Sequence, residues 1–581
     1  PSIALAVALA VAGCSGSSAP APYAATVARM TERIETHMAD AQVTGLAIAL
    51  VDGDAVVWAR GFGWADLDAR RPVDADTVFE IGSVSKTFAA AAVLQLVEEG
   101  RMDLDDPLAL HVPGFSIRQG DIESGPITIR SVLTHHSGIP SDLFNGAFTE
   151  DAPFDYDAWL LDWLAHETTA APVGAVQAYS NSAFALLRPA IGHAAPEGFD
   201  ARVNALFDAM GMRSTSYALD ARIPRERLSR SYDGGAVLPL RYGNLSTAGT
   251  VLSSASDMAR YVRMLHGRGV VDGNRVLSAA SVDEMARRQN AAAPLDFDSA
   301  MGLAWFLAPA GDYAGRTIEH EGATPTMHAM VRIHLDHRLG VVVLSNTMDA
   351  DVNAIARETL ERALEEKTGL ARPPSPTPVR SDPDPAWTPE RLAALAGTYV
   401  VPGDGLGFRT VAVTAVPGGL SIAGRPGPLV PRKNGHFSLG DGVPDAQRVQ
   451  FRFEEVEGRD VVSVLVDGQR SLWGERFTPG PADATAAWEG RAGTWTVTNL
   501  NPGTTWPDAS TIAIHQGDDG IVRVTTGLRG DVALTPLSAT EARVAGTGRN
   551  RGEIVRAVVV DGAEQVEVWG YRYVKTSSPP G

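Results

Sequence analysis

Apolar residues recur at helical spacing early in the chain, at Val27, Met30, Ile34 and Met38, and then the period changes. Leu46-Ala47-Ile48-Ala49-Leu50-Val51 and Ala55-Val56-Val57-Trp58 flank Asp52-Gly53-Asp54, which predicts a hairpin after the opening helix. Thr87 to Val97 forms an apolar helical stretch ending at Gly100, and Ala183 to Leu187 another behind a Pro/Gly turn. Further on, Ala329 to Leu335 and Gly340 to Leu344 read as a second hairpin, and Val352 to Glu366 as a helix closing the domain.

The pattern then breaks. Residues 371–389, with Pro373-Pro374-Ser375-Pro376-Thr377-Pro378 and Asp382-Pro383-Asp384-Pro385, have the composition of a semi-rigid linker. Beyond it the chain repeats itself. Leu395-Ala396-Gly397-Thr398-Tyr399 returns as Arg491-Ala492-Gly493-Thr494-Trp495, and Leu472-Trp473-Gly474 as Val568-Trp569-Gly570. The interval from Gly397 to Trp473 is 76 residues, as is that from Gly493 to Trp569. Alternating strands such as Val461 to Val466 and Val555 to Val560, each followed by Asp-Gly, predict two all-β barrels over 390–480 and 486–578.

A chain of 581 residues, 44% of them hydrophobic, suffices for several cores. A net charge of −19 argues against a nucleic-acid partner, which needs clustered cations. The single cysteine, Cys14, excludes an intramolecular disulfide and a Cys-based zinc site, so neither staples nor structural metal is expected; no cofactor is expected either. Ile3 to Ala12, too short an apolar run to span a membrane, leads into Gly13-Cys14 and a Ser/Pro/Ala tether, resembling a bacterial lipoprotein signal. On that reading residues 1–13 are a signal peptide entered part-way, and 14–26 are the lipidated Cys14 and its tether. The resemblance implies a lipid anchor in the bacterial cell envelope, periplasm-facing and, with Ser15 after the cysteine, at the outer membrane.

Only four of the fifty basic residues are lysines, and one lies in Glu80-Ile81-Gly82-Ser83-Val84-Ser85-Lys86-Thr87-Phe88. Lysine, unlike arginine, can be neutralised by burial and then act as a base. On a helix starting near Ser83, residues three apart share a face, so the Lys86 amine reaches the Ser83 hydroxyl. The pair reads as nucleophile and activator.

Tyr179-Ser180-Asn181 and His320-Glu321-Gly322 follow in order. With these motifs the chain resembles the serine β-lactamase and penicillin-binding protein superfamily, in its class C-like branch with esterases and D-aminopeptidases. Ser83-Val84-Ser85-Lys86 matches Ser-x-x-Lys, Tyr179-Ser180-Asn181 matches Tyr-x-Asn, and His320-Glu321-Gly322 stands where Lys-Thr-Gly is usual. Leu133-Thr134-His135-His136-Ser137-Gly138, Gly211-Met212 and Ser253 to Asp257 look like structural signatures of the same family. The resemblance covers residues 27–370. It implies an α/β (α+β) domain in which the first and last elements pair in one antiparallel sheet flanked by helices, with a helical subdomain between. The repeat resembles the lipocalin-like barrels of three-domain D-aminopeptidases.

By that resemblance Ser83 forms an acyl-enzyme, the backbone N–H groups of Ser83 and Ala323 hold the oxyanion, and Asn181 positions Lys86 or the substrate amide. Lys86 and Tyr179 share the proton work as a coupled unit, their mutual attraction favouring tyrosinate beside a charged lysine. An imidazole at His320 is mostly neutral at pH 7, so carboxylate capture there should be weak. On a strand His320 and Gly322 share a face, while Glu321 points away from the site. Thr324 stands where a zinc protease would need a second histidine, and no Gly-x-Ser-x-Gly elbow occurs. The expected function is hydrolysis of D-amino-acid amides, peptides or small esters. The alternatives are a true class C-like β-lactamase and a penicillin-binding, cell-wall-recognition protein without turnover. In the barrels, Asp404 or Asp518-Asp519 is a candidate to reach the crevice and pair with a substrate ammonium.

Overall fold

The computed structural model describes residues 22–577 apart from 121–123, 151–153, 240, 309–314, 372–380, 404–405, 441–442, 444–447 and 505–508. Cys14 with the expected lipidation, most of the Pro-rich linker and Asp404 lie outside the described residues.

Helix α1 (Ala24–Asp40) leads into strands β1 (Gly45–Asp52) and β2 (Ala55–Asp66). Helices α2 (Ser85–Glu98), α3 (Asn181–Ala185) and α4 (Ala255–His266) belong to the long middle segment, whose regular structure is mainly helical. Strands β3 (Thr317–Ala323), β4 (His328–His334) and β5 (Leu339–Ser345) and helix α5 (Val352–Thr368) close the domain. The sheet runs β3-β4-β5-β1-β2 with short strands at both edges, and every pair in it is antiparallel. Ile48 of β1 lies between Arg60 of β2 and Val343 of β5, so the first and last strands of the domain are neighbours.

The unbroken apolar run of β1 is explained by burial on both faces. Leu46, Ile48 and Leu50 pack on Met30 and Ile34 of α1 and on Ile355 and Ala356 of α5. Ala47, Ala49 and Val51 face the larger core that holds α2 and α4. Small side chains on that face let α4 pack directly on β1 and β5. Helix α2 is apolar all round rather than striped, which only a central helix can tolerate. Lys86, in its first turn, is therefore carried into the core along with Phe88.

Each repeat forms a closed eight-stranded barrel, from Gly397 to Arg476 and from Gly493 to Ser577. The repeated motif has a structural reason. Gly397 and Gly493 have φ of +156° and +138°, where a side chain would be strained, and two residues later Tyr399 and Trp495 donate back to the carbonyls of Leu395 and Arg491. Asp467-Gly468 and Asp561-Gly562 all have positive φ, the signature of two-residue type I′ hairpins. The interiors are filled by side chains, among them Val401, Leu420 and Phe451 in the first barrel and Trp495, Val524 and Leu534 in the second.

The copies diverge where the second meets the N-terminal domain. Trp473 and Gly474 lie within a continuous strand, whereas Trp569 and Gly570 turn away at φ +54° and +87°. The Gly570 carbonyl accepts from Asn145 Nδ2 at 3.0 Å, and a Cβ on Gly570 would meet Trp159 at 2.8 Å. Nearby, the buried side chains of Arg556 and Glu167 pair at 3.0 Å. The first barrel docks through Arg470, whose backbone N–H donates to Asp298 at 2.8 Å and whose guanidinium lies 4.2 Å from the Phe297 ring centroid.

Candidate active site

Phe79-Glu80-Ile81 passes through a 3-10 turn, Gly82–Val84, into α2, so Ser83 stands at the mouth of the helix. Gly82 has φ +51°, and a Cβ there would meet the Ala323 nitrogen at 2.7 Å. A Cβ on Gly322 would clash with the Ile81 carbonyl and come within 3.1 Å of the Ser83 nitrogen. Two bare glycines thus let β3 press backbone to backbone against the turn. The nitrogens of Ser83 and Ala323 are brought into one small region.

One turn along, Lys86 Nζ lies 3.0 Å from Ser83 Oγ, 2.7 Å from Asn181 Oδ1 and 2.5 Å from the Ala248 carbonyl. The side chain is fully buried, and this burial pushes its pKa well below the ordinary lysine value; Arg549 adds to the effect and Asp142 opposes it. A neutral amine has two N–H groups and one lone pair. The two carbonyl oxygens take the N–H groups, which leaves the lone pair for the Ser83 hydroxyl.

Tyr179 hydrogen-bonds Ser83 through its hydroxyl, with Lys86 Nζ 4.7 Å from its ring centroid. Burial raises the phenol pKa, against a smaller opposing effect of Arg549. Both shifts run opposite to the expected tyrosinate beside a charged lysine. In a site this dry the cheaper arrangement is two neutral groups, and the lowered pKa falls on Lys86.

Asn181 opens α3, which Ser180 caps by accepting from the Ala183 N–H. Its amide orientation follows from its partners: Oδ1 accepts from Lys86, and Nδ2 donates to Asp142 Oδ1 at 2.7 Å. His320, buried on β3, has Nδ1 2.6 Å from the Glu321 carbonyl, so Nδ1 carries the proton and Nε2 keeps its lone pair. Burial, with a smaller effect of Lys86, pushes its pKa down to about 3. Glu321 points to the other face and meets His328 Nε2 at 2.5 Å. Among the described residues no group of three or more His, Cys, Asp and Glu is placed to hold a metal ion.

Residues 30–365, more than half of the chain, match the family model described as Beta-lactamase. The chain belongs to the beta-lactamase family. It is 31% identical over 392 residues to Penicillin-binding protein 4 of Amycolatopsis lactamdurans, covering 64% of this chain and 97% of that one. Penicillin-binding protein 4* of Bacillus subtilis (strain 168) is 27% identical over 327 residues, covering 52% and 68%. Among solved structures, SurE with D-Leu superposes with a TM-score of 0.53 at 22% identity, covering 78% of this chain and 100% of that one. The octameric penicillin-binding protein homologue from Pyrococcus abyssi gives 0.52 at 22%, covering 77% and 99%. At that identity the two structures speak for the fold alone.

At this beta-lactamase-family site Asp142 and Arg549 carry no motif in the sequence, and His135 belongs to a stretch expected to be structural. His135, at φ +63°, accepts from the Ser180 N–H at 3.1 Å and stacks on Tyr179 with ring centroids 4.1 Å apart. Asp142, fully buried behind Asn181, receives Arg549 Nε at 2.8 Å. Arg549 comes from the second barrel, and its guanidinium lies 4.7 Å from the Tyr179 ring centroid. Its loop is tied down on both sides. The Asn550 N–H donates to Ser141 Oγ at 3.0 Å and the Ser141 N–H to Glu553 Oε1 at 2.7 Å, while burial pushes the Glu553 carboxyl up to about 7. A barrel loop thus reaches the crevice carrying a cation, where the expectation was an aspartate. Asp519 is instead held by Arg523 at 2.5 Å, and Arg523 also donates to Thr410 of the first barrel.

Proposed function

We propose that the chain is a serine hydrolase that works through an acyl-enzyme on D-amino-acid amides or peptides, or on small esters. The observation that carries this reading is the set of three contacts of the buried Lys86 amine, which directs its lone pair at the Ser83 hydroxyl.

In the first half-reaction Ser83 Oγ bonds to the substrate carbonyl carbon as its proton passes to Lys86. The charge that develops on the carbonyl oxygen is held by the N–H groups of Ser83 and Ala323. Tyr179, protonated and hydrogen-bonded to Ser83, gives its proton to the departing amine or alkoxide and regains one from Lys86. Water then attacks the acyl-enzyme, losing a proton by the same route reversed, and restores Ser83. The uncharged His320 argues against tight capture of a β-lactam carboxylate on β3, which favours ester or amide turnover over β-lactamase action.

An active-site phosphonate should label the wild-type protein stoichiometrically and Ser83→Ala not at all; stoichiometric labelling of Ser83→Ala would reject the nucleophile. A chromogenic ester should turn over faster than a chromogenic cephalosporin. The reverse preference would make the protein a β-lactamase, and clearance of neither would make it a binding protein. We also propose attachment to the cell envelope through acylated Cys14. Palmitate incorporation in a bacterial host should be lost in Cys14→Ala, and equal incorporation in both would remove the anchor.

A further inference from the structure

The cleft between the N-terminal domain and the two barrels holds a cavity of about 310 Å³, walled by Gln177 and Asp296 of the first domain, Phe408 of the first barrel, and Arg549 and Arg551 of the second. Asp296 faces it with no free oxygen. Its Oδ1 accepts from the Gln177 N–H at 2.7 Å, and its Oδ2 contacts His136 Nε2 at 2.7 Å and Asn290 Nδ2. The two arginines are differently placed. Arg549 commits Nε to Asp142 and lies over Tyr179, yet its side chain remains 34% exposed.

Arg551 donates from Nη1 to the carbonyl of Thr547 in its own loop, its guanidinium lies 5.1 Å from the Phe408 ring centroid, and its buried Nε has no partner. Glu475, the carboxylate that acts on it, is bonded to Arg459 at 3.1 Å and to the Thr547 hydroxyl instead. Burial pushes the Arg551 pKa down to about 10, as for a cation short of a counter-charge. The buried Arg529, which donates to the Asp142 carbonyl at 2.9 Å, adds a third guanidinium. Asp142, Glu475 and Asp296 stand against these three, Glu475 with Arg459 already beside it, and burial pushes Glu553 up to about 7.

Position decides which part of the substrate this cleft serves. Tyr179 passes its proton to the leaving group in the proposed reaction, and Arg549 both covers its ring and lines the cavity. A second cavity, of about 550 Å³, is walled by Glu80, Tyr217, Leu219, Thr324 and Met327, the last two following Ala323 in the chain.

We propose that the three-domain cleft is a subsite for a carboxylate on the leaving-group side of the substrate, bound by the guanidinium groups of Arg549 and Arg551. The inference rests on the acyl-enzyme reading above and assigns the second barrel the cation that β3 lacks at His320. A planar guanidinium matches a carboxylate with paired N–H donors, and Arg551, whose buried Nε has no partner, and the part-exposed Arg549 offer them on this wall.

The test uses the full chain and two esters with the same acyl group: the N-benzoylglycyl ester of phenyllactic acid and the corresponding ester of phenyllactamide. Wild-type kcat/KM should favour the carboxylate ester by about tenfold or more, the scale of one charge-assisted contact. Arg551→Gln should erase most of that preference, chiefly through KM. Equal wild-type rates on the two esters, or a preference unchanged in folded Arg551→Gln, would overturn the subsite. Should Arg551→Gln fail to fold, inhibition of the wild type decides: phenyllactate should compete with the ester at least about tenfold better than phenyllactamide, and equal inhibition overturns the proposal. Labelling of Ser83 by a phosphonate is independent of this cleft, so its loss would reject the acyl-enzyme reading, whereas equal ester rates with intact labelling would reject only the subsite.

Discussion

A buried amine gains its basicity toward serine at the expense of the folded state. Lys86 would be protonated in the unfolded chain up to about pH 10.4, while in the folded chain its pKa is well below the ordinary lysine value. Between those limits the unfolded state binds the extra proton, so unfolding free energy rises with pH, by at most about 1.4 kcal/mol per pH unit for one proton. Lys86→Met lacks this dependence. The urea midpoint of the wild type relative to Lys86→Met should therefore increase from pH 7 to pH 9; a flat difference would mean that Lys86 keeps its proton in the fold. Lys86→Arg retains the charge but supplies no neutral amine, and ester turnover should fall by at least about a hundredfold, with near-normal turnover moving the base to Tyr179. Ser83, Lys86, Tyr179, Asn181, His320 and Gly322 were legible because each sits in a short motif, with Ala323 following from the resemblance, and the structure gathers them in one crevice. Asp142 and Arg549 were not. They lie 407 residues apart, and nothing local to either announces the other.

At the scale of elements, the site depends on how closely β3 lies against the turn before α2. Gly322→Ala would drive a methyl group into the Ile81 carbonyl and push the Ala323 N–H out of line with that of Ser83. Loss of one oxyanion donor is worth about 10²–10³ in kcat, so ester kcat should fall on that scale while far-UV circular dichroism keeps the wild-type shape. Unchanged kcat would mean that Ala323 contributes no donor. The strands themselves could be read in advance, because β1 and β5 are apolar without interruption and both of their faces are covered. The turns of the barrels could also be read, since Asp-Gly pairs at positive φ leave a mark in the sequence. The divergence between the barrels could not. Trp473-Gly474 and Trp569-Gly570 are the same letters, and only the proximity of Asn145 and Trp159 makes the second pair a docking turn.

For the whole molecule, the second barrel is fastened by charges with little water around them. Removing Arg556 would leave Glu167 buried with Trp163 Nε1, at 2.7 Å, and without its cation. An uncompensated buried charge costs about 3–5 kcal/mol, so Arg556→Met should lower the thermal midpoint by several degrees and Glu167→Gln added to it should restore part of the loss; an unshifted midpoint would mean the contact carries no load. The same docking delivers Arg549 to Asp142, and this has a consequence in time. A ribosome emits the chain from its N-terminus, and at about 5–20 residues per second Arg549 emerges tens of seconds after Asp142. During that interval the carboxylate has no guanidinium, and its field acts to keep the proton on Lys86. Nascent chains halted short of residue 549 should then be unreactive toward the phosphonate that labels the finished protein. On that expectation the chain is dormant while it is being made and reacts only once its last domain settles.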